Sequence, residues 1–72
     1  MPPLPVVSGA DVVRKLERLG WLFVRQAGSH MILVKVNSVV SISVPNHKEI
    51  AKGTLRSIIR SANLTVEEFL QA

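Results

Sequence analysis

Two histidines, His30 and His47, are the side chains best suited to proton chemistry near neutral pH. An imidazole with a reference pKa near ~6.5 can give or take a proton there. His30 follows Gly28-Ser29 and opens the apolar stretch Met31-Ile32-Leu33-Val34, which places it at the mouth of an expected strand. A histidine so placed could serve phosphodiester cleavage in RNA. A base removes the 2′-hydroxyl proton, that oxygen attacks the adjacent phosphorus, and an acid protonates the departing 5′-oxygen. A positioned acid or base contributes ~10²–10⁴-fold to such a step, and basic side chains stabilise the charge growing on the phosphoryl oxygens. The residues alone equally allow His30 to be a surface histidine making an ordinary hydrogen bond. His47, in a polar loop beside Lys48, could be a second acid/base, a phosphate contact or neither.

Other chemistries are poorly supported. The two histidines lie seventeen positions apart and the chain has no cysteine, a poor donor set for a metal. Neither a metal nor a cofactor is expected. Ser29 and His30 are adjacent in a strand and would point to opposite faces, which argues against a nucleophile pair. Lys52-Gly53-Thr54 lacks the spacing of a phosphate-binding loop. The charge balance is more informative. Nine Lys and Arg against five Asp and Glu give a net charge of +4, which favours a polyanionic partner, nucleic acid before membrane. Arg25, Lys35, Lys48, Lys52, Arg56 and Arg60 could line one phosphate-binding surface, or could be solvated charges. No apolar run approaches the ~18–20 residues of a membrane span, and the proline-rich start lacks the features of a secretory signal. A cytoplasmic protein with no membrane partner is expected.

The elements that would position these residues read clearly. Residues 1–72 form one domain, and three prolines in the first five positions make residues 1–7 an extended arm. Ser8 and Asp11 offer a capping box to a helix over about residues 9–19, with Val12, Leu16 and Leu19 on one stripe and Gly20 as its stop. Trp21 to Gln26 predicts a strand, with Trp21 and Phe23 expected in the core. Apolar residues on both its faces leave the packed face undecided. Ser29 to Val36 and Val39 to Val44 predict two more strands joined by an Asn37-Ser38 hairpin. That register opposes Leu33 to Ile42 and Met31 to Val44, and puts His30, Ile32, Val34, Ser41 and Ser43 on the face away from the helices. Residues 45–53 read as a polar loop. Thr54 is the expected cap of a second helix carrying Leu55, Ile58, Ile59 and Ala62, which Asn63 terminates. Thr65 and Glu68 form a second capping box for a short last helix. The order α-β-β-β-α, with a short C-terminal helix, predicts an α+β two-layer sandwich like the double-stranded RNA-binding domain.

Gly20-Trp21 after an amphipathic helix, then Gly28-Ser29-His30 opening a strand, resemble the HicA family of toxin mRNA interferases (YcfA-like). Val44-Pro45-Asn46-His47 and the run Lys52-Gly53-Thr54-Leu55-Arg56-Ser57-Ile58-Ile59 look like that family's second signature. The match spans about residues 8–71. It implies a type II toxin-antitoxin role, metal-independent mRNA cleavage that arrests translation and growth, and neutralisation by a HicB antitoxin. The family's catalytic histidine maps onto His30, and His47 matches a second family histidine. Two positions depart from the pattern: the second strand is unusually apolar, and Asn46 stands where a basic residue is frequent. Both reduce the charge offered to RNA, and leave either a weaker nuclease or a face suited to antitoxin burial. The competing readings are a non-catalytic RNA-binding module of the same fold and a protein-interaction domain.

Overall fold

A computed structural model describes residues 3–72; Met1 and Pro2, the tip of the expected arm, lie outside the described residues. The elements are α1 (Gly9–Arg18), β1 (Leu22–Ala27), β2 (His30–Val34), β3 (Ile42–Pro45), α2 (Lys52–Ser61) and α3 (Val66–Gln71). The strands form one antiparallel sheet in the order β1-β2-β3. α1 packs across β1 and β3, and α2 packs on β3, which gives the expected α+β two-layer arrangement. Met31, Leu33, Ile42 and Val44 point into the helix layer and are buried with Val12, Leu16, Leu55, Ile58, Ile59 and Phe69. Among the described residues no helix covers the opposite sheet face.

The capping chemistry is realised twice. Ser8 accepts from the Asp11 amide while the Asp11 carboxylate accepts from the Ser8 amide, and Thr65 and Glu68 repeat the arrangement at α3. Hydrogen bonds from the Ser8 backbone and then its side chain, with the Arg14 guanidinium alongside, hold the Asp11 carboxyl below its ordinary value. A depressed carboxyl pKa contributes stability that is complete above the unfolded-state value and is lost as pH falls through the folded one. The Asp11 contribution therefore disappears only in the acid range, below its ordinary value of 3.8. Ser8→Ala should lower stability at neutral pH by about 1 kcal/mol. It should also flatten the acid limb, a result read from thermal melts at several pH values; an unchanged acid limb would show that the box is not the source.

Several boundaries differ from the sequence expectation. The register of β2 with β3 is the one expected, Leu33 opposite Ile42 and Met31 opposite Val44. The strands are shorter, however, and residues 35–41 form a wide loop where Asn37-Ser38 alone was expected. A two-residue type I′ turn needs φ > 0 at both central positions. Asn37 supplies it (φ 68°) and Ser38 does not. The Ser38 amide instead returns to the Lys35 carbonyl at 3.1 Å, and the Ser38 hydroxyl accepts from the Val40 amide at 3.2 Å. At the second helix, Thr54 is not the cap: α2 starts at Lys52 behind Ala51, with no side-chain cap. Ile50, placed by sequence in a polar loop, is buried, and its amide donates to the Val7 carbonyl at 2.8 Å. That contact, with Leu4 and Val7 buried, ties the arm into the core and sets the start of α2. Trp21 is buried as expected but precedes β1, whereas Phe23 is 44% exposed and not a core residue.

Candidate functional site

His30 is held from both sides by main-chain structure. On one side, Gly28-Ser29 closes a two-residue turn in which Gly28 takes φ +60°, a conformation that costs an L side chain energy. This turn sets Ala27 opposite His30. On the other side Pro45 opposes His30, and the Asn46 amide donates to the Ser29 carbonyl at 2.7 Å, extending the ladder past the strand. The side chains of β2 alternate as a strand must, so Met31 and Leu33 are buried while His30 is exposed. His30 therefore stands on the open face of the sheet, with Ile32, Val34 and Ser43.

A β-bulge brings Arg25 to that face. Phe23 opposes Leu33, yet Arg25 opposes Ile32, so Val24 is an extra residue in β1. Continued regularly, the Phe23–Leu33 register would set Arg25 against Met31, on the helix side. With the bulge Arg25 is a diagonal neighbour of His30 across β1 and β2, at a separation of roughly 7–8 Å for such pairs. The sequence held no signal for this bulge, because Trp21–Gln26 is apolar on both faces.

The remaining sequence candidates fall into three places. His47 and Lys48 follow directly after β3, at the His30 end of the sheet; both are exposed, and the His47 carbonyl accepts from the Gly9 amide at 2.8 Å. Lys35 follows the far end of β2, with its ammonium 6.0 Å from the centre of the Trp21 ring. Lys52 and Arg56 belong to α2, in the helix layer, and Arg56 lines a groove of about 380 Å³ with Arg60, Leu64 and Glu67. The structure thus groups Arg25 with His30, sets His47 and Lys48 at the same end, and separates Lys35, Lys52 and Arg56 from them. Among the described residues no three His, Asp or Glu side chains gather as metal donors. No helix of the described chain is long and apolar enough to cross a membrane.

A three-stranded sheet backed by helices, with an exposed histidine and an arginine on its open face, defines a small basic α+β protein with its polar chemistry on the strands. A family model described as the HicA toxin of bacterial toxin-antitoxin matches residues 9–64. The chain therefore belongs to the HicA toxin family and is a toxin of that class. No curated protein matches it.

Proposed function

We propose that this toxin is a cytoplasmic endoribonuclease that cleaves mRNA without a metal, inhibits translation and growth, and is neutralised by a HicB-type antitoxin. His30 is the general acid/base of this reading, and Arg25 stabilises charge on the phosphoryl oxygens. The observation that carries it is the exposed His30 at a rigid strand start, with Arg25 turned by the bulge onto the same face. His47 and Lys48, at the same end, extend the surface available to the RNA backbone. Lys35, Lys52 and Arg56 would meet only an RNA that wraps beyond this face.

The test is a cleavage assay on mRNA with purified protein and excess chelator, comparing wild type with His30→Ala. Cleavage by the wild type alone is the expected result. Binding without cleavage by both proteins would replace the nuclease with an RNA-binding module. In that assay, affinity for RNA should fall steeply as salt rises, because each phosphate contact releases a counterion; a flat dependence would remove the basic surface from the proposal.

A further inference from the structure

We propose that the free edge of β1 docks an extended, acidic segment of the antitoxin, which adds a fourth strand to the sheet beside Leu22–Ala27. The proposal rests on the toxin reading of the chain and concerns how that toxin is masked. β1 ends the strand order, so among the described residues one side of its main chain has no partner strand. All six of its residues are exposed. At ~3.3 Å per residue the edge offers about 20 Å of ladder. β3, the other edge, has four residues, ends in Pro45, and lies under both α1 and α2, so it is the poorer template.

Composition marks the β1 edge further. Proteins usually guard an exposed edge with lysine, proline or a covering element. Here Leu22 (54% exposed), Phe23 and Val24 (51%) stand in a row, with only Arg25 and the bulge as guards. Leu22 opposes Val34, and the loop beyond Val34 exposes Val36, Val39 and Val40 at the same end of the sheet. The open face is therefore apolar at the Leu22–Val34 end and polar at the Arg25–His30 end. A strand added to this edge takes its affinity from main-chain hydrogen bonds and its specificity from the side chains beside it.

Charge selects the occupant. Arg25 on the edge strand and Lys35 at the corner are exposed, and neither takes part in an ion pair among the described residues. A second copy of this chain would set +4 against +4, whereas a strand carrying Asp or Glu meets both cations and suppresses association between like copies. Anchored at the apolar end, such a segment runs along β1 past Arg25 toward Ala27, the residue opposite His30. It would occupy the approach that RNA needs.

The probe is a HicB-type antitoxin, the partner of the proposed function, titrated against the 72-residue chain with amide hydrogen exchange as the first readout. The expected result is slowed exchange in Leu22–Ala27 on complex formation. Leu22→Asp and Val24→Asp should each weaken the complex at least about thirtyfold, the scale of an interface hot spot. Both variants lie outside the core, and melting curves report whether they fold; the exchange readout needs no variant. Unchanged β1 exchange in the complex, or affinities within about threefold of wild type for folded variants, would overturn the proposal. So would β1 protection that appears without antitoxin as the toxin is concentrated, which would assign the edge to a second copy. Failure of the toxin reading looks different: the free wild type would neither arrest growth nor cleave RNA, whatever the edge binds.

Discussion

Gly9→Ala is expected to destabilise the fold severely, although alanine is the better helix former by about 1 kcal/mol. Gly9 is buried in the first turn of α1, where the helix meets the end of β3 at backbone distance. A Cβ at this position would lie far inside contact with the Pro45 carbonyl oxygen and 3.0 Å from the Met31 Cε. The methionine tip can move; the carbonyl belongs to a paired strand and cannot easily do so. The Gly9 amide also donates to the His47 carbonyl at 2.8 Å, so a displaced helix would lose that bond as well. Overpacking of this kind costs about 1–3 kcal/mol or more. A domain of 72 residues has roughly 4–11 kcal/mol in total. The melting temperature should fall by roughly 10–20 °C, given about 4–8 °C per kcal/mol for a domain of this size. Activity should fall with it, because Pro45 is the residue opposite His30. A melting curve like the wild type's would show that α1 does not seat on the Pro45 carbonyl.

The second large effect is confined to chemistry. His30→Ala should reduce the rate of RNA cleavage by ~10²–10⁴-fold, the usual worth of a positioned acid or base. Its melting temperature should stay near the wild type's, since exposed positions away from special features usually change stability by less than about 0.5 kcal/mol. His30→Gln separates proton transfer from binding: it keeps a polar side chain, exchanges no proton near neutral pH, and should be as inactive as alanine while binding RNA. A glutamine variant that cleaves normally would remove His30 from the acid/base role. Arg25→Ala should produce a smaller loss, and combining it with His30→Ala should add little once the proton step is gone. Additive losses would mean that Arg25 acts on a different part of the RNA.

The edge of β1 bears on how these activities would be read in cells. If the antitoxin adds its strand there, His30→Ala should leave the complex intact, whereas Leu22→Asp, at the end of β1 away from Arg25 and His30, should leave cleavage by the free toxin intact. Catalysis and masking would then separate on one sheet, with the apolar end serving the partner and the polar end the RNA. The unusual apolarity of Met31-Ile32-Leu33-Val34 divides between these tasks, because Met31 and Leu33 fill the core while Ile32 and Val34 stay partly exposed on the open face.

Much of the fold was legible in sequence because it is specified locally. The Ser8–Asp11 and Thr65–Glu68 boxes fix two helix starts through groups three residues apart. Gly20 and Asn63 take positive φ where the helices α1 and α2 stop. The period-two burial of β2 and β3 follows from alternation alone and placed His30 opposite the helix layer. The expected Thr54 cap and the expected burial of Phe23 failed for non-local reasons. Thr54 is as good a capping residue as Ser8, but the bond from Ile50 to Val7 decides where α2 begins. Phe23 is aromatic in a strand, but β1 lies at the edge of the sheet, and the helix that packs across it leaves Phe23 44% exposed.

By itself, then, the sequence determined the elements, the hairpin register, the exposure of His30 and the family, because each follows from short-range periodicity, capping or a contiguous motif. Only the tertiary structure decided which cations accompany the histidine. The Val24 bulge turns Arg25 onto its face, while the same positive charge on Lys35, Lys52 and Arg56 is carried to the far end of β2 or into the helix layer. Tertiary structure also decided that β1 lies at an edge with its apolar residues uncovered. Both outcomes depend on which strand pairs with which and where the helices lie across them, a matter of packing between distant segments that no local pattern encodes.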